Sequence, residues 1–217
     1  QNILRIADVH LAKGDFISSI EFLDSSYSKN EIPGIKYKLI EMYLFSGFPD
    51  TAFTMINNLF QTTMPTDKYF NDLMELRDFI NHYYVKVDAE GKEVFKDYLR
   101  SESLLKQRKI FEANQLLEYI QNNNNNKILS PLIFLRRSII LMRLKKYDEA
   151  LNQLNNLNGS IYSDRGIIMS GQIFEQFYDN SDKAVEYYMQ IINDYPDSIF
   201  SEPIRYHLRK IKNNEKI

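Results

Sequence analysis

At 217 residues, 44% of them hydrophobic and 26% charged, the chain has the composition of a folded domain and not of a disordered or fibrous segment. Its 27 basic and 29 acidic residues nearly cancel, to a formal charge of -2, so no global field recruits nucleic acid or an anionic membrane. Cysteine is absent, which removes disulfides, thiolate nucleophiles and cysteine-type zinc sites together.

Seven glycines and six prolines are too few for the turns that a β-sandwich needs every ~8 to 12 residues, so helices are expected throughout. In the first segment, 2–32, the turn KGDF at 13–16, with Gly14 and Phe16, precedes Ser19, and Leu23 follows four residues on. The second, 34–65, repeats this with SGFPD at 46–50, Gly47, Ala52 and Ile56, and closes on Pro65. TDKYFNDLMELRDFINHYYVKVD then carries Phe70, Leu73, Leu76, Ile80, Tyr83 and Tyr84 at helical spacing, a long amphipathic helix with Thr66 or Asp67 as its cap. AEGKEVFKDYLRSESLLKQRK supplies a second helix and IFEANQLLEYIQ, with Ala113 and Leu117, a third, which makes 66–108 an irregular run of long helices. The asparagine run at 122–126 is expected to be a loop, because Asn costs up to ~0.7 kcal/mol per residue in a helix. A loop of that kind is an expanded linker, tolerated because closure costs grow slowly with length.

PLIFLRRSIILMRL at 131–144 is the most apolar stretch, but Arg136, Arg137 and Arg143 interrupt it. It falls short of the ~20 apolar residues of a spanning helix. KKYDEA at 145–150 introduces Ala150 and Leu154, and YDNSDKA at 178–184 introduces Ala184 and Tyr188. In the last of these helices Val185, Tyr188, Ile191, Ile192 and Tyr195 share a face until Pro196 stops it. The closing segment 198–217 puts Ile204, Leu208 and Ile211 on one side and is expected to cap the end of the array.

The small residues Ser19, Ala52, Ala113, Ala150 and Ala184 are 33, 61, 37 and 34 residues apart. A period near ~34 with two helices per period is produced by stacked helical hairpins. A short side chain there lets the second helix of a hairpin cross the first closely; enlarging it should cost ~1 to 3 kcal/mol by overpacking.

These positions resemble the tetratricopeptide repeat. SGQIF at 170–174, with Gly171, then Ala184, Tyr188 and Pro196, follow that family's L-G-x-x-Y, A-x-x-x-F and closing Pro, with one extra residue in the turn. Unit 131–163 is similar through Tyr147, Ala150 and Leu154, with Ser138 in place of the family glycine, and 66–108 resembles it poorly. The resemblance implies an all-α fold, a right-handed superhelical α-solenoid of stacked antiparallel hairpins with about twelve helices. The expected organisation is two hairpins over 1–65, the irregular helices of 66–108, hairpins over 109–197 and a capping helix over 198–217, in one continuous solenoid.

Little in the chain suggests chemistry. His10, His82 and His207 lie far apart with no H-x-x-x-H spacing, and no Gly-rich phosphate loop or nucleophile elbow occurs. The serines of DSSYS at 24–28 are read as helix-end caps. No catalytic residue, metal or cofactor is expected. In tetratricopeptide arrays the concave face of each first helix holds a protein or peptide. The resemblance places that role on Tyr37, Glu41, Leu44 and Phe45, on Leu135, Ile139 and Met142, and on Ile168, Gln172 and Glu175. The set lacks a Lys and Arg clamp for a peptide carboxylate.

The expected function is therefore a protein-binding scaffold with no nucleic-acid partner. An alternative is the non-catalytic module of a larger enzyme or sensor. The unit DKAVEYYMQIINDYPDSIFSEPIRYHLRKIK also resembles tetratricopeptide proteins of the bacterial cell envelope, which implies an envelope assembly or secretion role in the periplasm, with the cytoplasm as the alternative. Since residue 1 is Gln, the chain is expected to be a processed or partial product. Ile3, Ile6 and Val9, with no preceding hairpin to cover them, are expected to support self-association.

Overall fold

The computed structural model describes residues 2–30, 32–123 and 127–212. Every regular element among the described residues is helical, with twelve α-helices and one π-helical turn, so the all-α class built from helix hairpins holds. The chain divides into two compact units, 1–129 and 130–217.

In the first unit α1 (Asn2–Lys13) pairs with α2 (Phe16–Asn30), and α3 (Pro33–Phe45) with α4 (Pro49–Phe60). The helix α5 (Phe70–Ile80) runs directly into the π turn Asn81–Val85, and α6 (Ala89–Lys106) pairs with α7 (Ile110–Asn123). Ala7, Leu11, Leu23, Ile35, Leu39 and Met42 form one core of this unit, each large side chain contributing ~1.5 to 3 kcal/mol by leaving water. Both α1 and α3 touch α6. The first helices of three hairpins thus close on one another and do not form an open wall.

The second unit runs α8 (Ser130–Arg143), α9 (Tyr147–Asn155), α10 (Ser163–Gln176), α11 (Ser181–Asp194) and α12 (Ser201–Lys212), each packed on the next. Leu135, Leu141, Ala150, Leu154, Leu157 and Ile173 make one core, and Ile167, Ile168, Ala184, Tyr188, Ile191 and Ile204 the next.

Five hairpins close with the same backbone device. One residue in each turn is left-handed: Gly14 (φ 76°), Gly47 (φ 87°), Arg108 (φ 63°), Lys145 (φ 60°) and Asp179 (φ 48°). The amide after it donates back into the preceding helix: Asp15 to His10, Phe48 to Tyr43, Lys109 to Leu104, Lys146 to Leu141 and Asn180 to Phe174, all at 2.9 Å. In the first four this is the Schellman closure, which satisfies carbonyls that the helix end would otherwise orphan. The last spans one residue more, the extra residue expected in its turn. Five residues after each left-handed position stands the small residue, Ser19, Ala52, Ala113, Ala150 or Ala184, all 0% exposed. The hairpin α6/α7, within the 61-residue interval, follows this rule like the other four, and the insertion that lengthens the interval is α5 with its π turn.

Three local expectations are corrected. Asn122 and Asn123 continue α7, because Ala113, Leu117 and Ile120 anchor that helix in the core and Asn123 Nδ2 donates to the Tyr119 carbonyl at 2.8 Å; packing overrides a weak intrinsic preference. The rest of the asparagine run lies outside the described residues. Asp67 does not cap α5: its carboxylate accepts from the Met64 amide at 2.8 Å, holding the preceding turn, and α5 starts after Tyr69 with no side-chain cap. The serines of 24–28 are no helix caps either, since Ser26 and Ser28 lie within α2 and donate to the Phe22 and Asp24 carbonyls at 2.7 and 2.9 Å, the i−4 bonding of serine inside a helix.

Candidate functional site

Local sequence places one groove in the first unit. Tyr37 lies midway along α3, and the chain leaving α4 returns through Tyr69, whose ring stacks on Tyr37 with centroids 5.4 Å apart. From there α5 presents Asp72, Glu75, Leu76 and Phe79 at spacings of three and four, so one helical face lines the groove opposite Tyr37. The groove has a volume of 330 Å³. Its floor is backed by packing, since Phe79 contacts Tyr83 and Phe95 at 5.1 and 5.5 Å, and Phe95 is fully buried. Asp72 and Glu75 are exposed at the rim, and no basic side chain lines the groove. Burial, and then the nearby charges of Asp72 and Glu41, push the Tyr37 phenol above its ordinary pKa, so it stays a neutral donor.

The other α3 residues expected on a concave face are occupied within the unit. Glu41 takes a hydrogen bond from Lys38 and lies 3.6 Å from the Lys106 ammonium of α6. Lys106 also sits 5.5 Å over the ring of Phe45, and Leu44 is 4% exposed. In the second unit Leu135 and Ile168 are buried in their cores. Ile139 and Met142 pack partly buried against the first of these, and Gln172 is half-buried. Glu175 accepts the Tyr188 hydroxyl at 2.7 Å and meets His207 Nε2 at 3.0 Å. Burial, followed by that carboxylate, raises the Tyr188 phenol far above its ordinary pKa.

Of the ten residues named from the resemblance, Tyr37 is the one that opens on this groove. Sequence reasoning missed Asp72, Glu75, Leu76 and Phe79 as lining residues. Their signal was the run D-x-x-E-L-x-x-F, which puts two carboxylates and an apolar pair at helical spacing on one side of α5. It also missed His207 as a partner of Glu175, 32 positions away. At the first hairpin Ile6 and Val9 are 41% and 52% exposed, while Ile3 packs onto the core.

The groove offers ring faces, a phenol donor and carboxylates, which suit recognition of a cation beside an apolar group. Among the described residues, no three His, Cys, Asp or Glu side chains come together as metal ligands. No helix among them is long and apolar enough to cross a membrane.

Comparison with known proteins agrees with this architecture at one hairpin. Residues 168–198, covering most of α10 and all of α11, match the family model of the tetratricopeptide repeat. Among solved structures, the crystal structure of MamA aligns with 88% of this chain and 95% of its own, at 13% identity and a TM-score of 0.45. No curated protein matches.

Proposed function

We propose that the chain is a non-catalytic tetratricopeptide scaffold that holds a protein segment, and that the Tyr37 groove is where the segment binds. The single observation behind this is that Tyr37, Leu76 and Phe79 stand beside the carboxylates of Asp72 and Glu75 in one open groove. A segment presenting Lys or Arg next to an aliphatic or aromatic side chain matches both features. The repeat at 168–198 supports protein binding as the class of work. The likeness of the closing unit to cell-envelope proteins supports a place in an envelope assembly or secretion complex, which a fractionation of the native organism tests.

Affinity capture from the native organism with the 217-residue chain, repeated with Tyr37→Ala and with Asp72→Lys/Glu75→Lys, tests the groove. A protein that is retained by the parent chain and lost from both variants supports the reading. Identical proteins from all three place the working surface elsewhere.

A further inference from the structure

On α12, Ile204, Leu208 and Ile211 pack inward, while Glu202, Arg205, Tyr206, Arg209 and Lys212 form an exposed stripe along the outer face. Its one acid, Glu202, lies 3.5 Å from Arg205, and the remaining cations follow toward the far end. Glu202 stands in its first turn, and Arg209, Lys210 and Lys212 in its last. Ahead of the first turn lie the exposed carboxylates of Asp194 and Asp197, which with Asp164 and Ile161 line a cavity of 380 Å³. Tyr206 sits at the middle of the helix, 60% exposed, with the Lys210 ammonium 4.9 Å over its ring.

The turn before α12 repeats the turn before α10. Both read S-I-aromatic-S-acid, Ser160 to Asp164 and Ser198 to Glu202. In both the second serine donates to a carbonyl six residues back, Ser163 to Leu157 at 2.8 Å and Ser201 to Tyr195 at 2.7 Å. The two turns are tied together, since Ser198 Oγ donates to Asp164 at 2.7 Å. Each leaves its isoleucine in solvent, Ile161 at 78% and Ile199 at 80% exposure. Charges placed with the helix dipole explain the acid and base ends by themselves; they do not explain a central exposed tyrosine and two isoleucines held out by a twice-built turn.

We propose that this face binds a second copy of the chain, α12 against α12 in antiparallel orientation. An acid-to-base gradient along a helix is self-complementary when the helix meets its own reverse. Arg209 and Lys212 of each copy then face Glu202, Asp197 and Asp194 of the other, and the two Tyr206 rings meet at the two-fold axis. The contact is isologous, so it closes at a dimer and does not propagate. A helix of this length spans only ~18 Å, which puts the interface at the small end, near or below ~1,200 Å². The dimer is accordingly weak, with a dissociation constant in the micromolar range, and salt-sensitive.

Sedimentation of the chain across the micromolar range at ~0.05 and ~0.5 M salt should show a monomer–dimer equilibrium that salt weakens. Two variants, Asp197→Lys/Glu202→Lys and Arg209→Glu/Lys212→Glu, should each be monomeric alone and should form a dimer when mixed, because both contacts then become attractive again. Tyr206→Ser should weaken the dimer about tenfold or more. All these side chains are exposed, and an unchanged circular dichroism spectrum and melting profile verify the fold of each variant. A parent chain that stays monomeric, one that grows beyond a dimer, or a dimer indifferent to the charge reversals would each overturn the proposal.

Discussion

The two units are built from the same hairpin, yet the groove with the clearest binding chemistry lies where the pattern is interrupted. In the second unit α8/α9 and α10/α11 follow one another directly, and the apolar residues of their first helices, Leu135 and Ile168 among them, are absorbed into the cores. In the first unit α5 is inserted between the second and third hairpins, and its outer face together with Tyr37 makes the groove. Regular stacking uses up side chains for packing. The inserted helix, outside the hairpin pattern, keeps the face of Asp72, Glu75, Leu76 and Phe79 for recognition.

The strongest way to break this comparison is to remove the anchor of the insertion. Phe95→Ala should cost ~3 to 5 kcal/mol, because Phe95 is fully buried under Phe79 and Tyr84. Hydrogen exchange should show protection lost in α5 and α6 and kept in α10 and α11. Next comes Ala184→Leu, expected to cost ~1 to 3 kcal/mol by overpacking, with the loss of protection now confined to α10 and α11. A change that spreads equally through both units in either experiment would contradict the division into two compact units.

Each unit also has a tyrosine tied to a carboxylate, Tyr84 to Asp50 at 2.6 Å and Tyr188 to Glu175 at 2.7 Å, and removing either hydroxyl sharpens the comparison. Tyr84→Phe and Tyr188→Phe should each cost ~1 to 2 kcal/mol at neutral pH, read by urea denaturation. Burial, then the Asp50 carboxylate, pushes the Tyr84 phenol up to about 12. A phenol whose folded pKa is raised contributes fully below the unfolded value near ~10 and loses that contribution as pH climbs through the folded value. The parent chain should therefore lose stability between pH ~10 and ~12, and Tyr84→Phe should flatten that decline.

The smallest effects concern the hairpin turns. Gly47→Ala should destabilise by ~1 kcal/mol, since a Cβ disfavours its left-handed backbone. Lys145→Gly should be neutral or slightly stabilising, because relief of the same strain is offset by the greater freedom of glycine when unfolded. Thermal melts compare the two.

Hairpins closed by Gly14 and Gly47 were readable because glycine announces a left-handed turn. The turn at Arg108 has no such marker, and α6/α7 was recognisable only through Ala113. The repeat spacing was legible because overpacking punishes any large residue at the five small positions. The groove was much less so. Asp72 and Glu75 look like any solvated helix face until α3 lies beside them, and Tyr37 was found only through the family resemblance. The bonds from Tyr188 and His207 to Glu175 depend on how three helices stack, which no local pattern records.

The π turn at Asn81–Val85 is the last turn of the helix that α5 begins. Its wider loop, closing on i to i+5 instead of i to i+4, gathers one residue more than a regular turn, and the chain leaves the helix straight after it, at Lys86. Within this turn the neighbours Tyr83 and Tyr84 both face inward, at 6% and 3% exposure, with Tyr84 reaching Asp50 across the unit. Deleting a single residue from this turn would return the helix to its regular pitch and carry Tyr84 away from Asp50. A one-codon change in this segment should therefore act on the whole first unit more strongly than most substitutions within it.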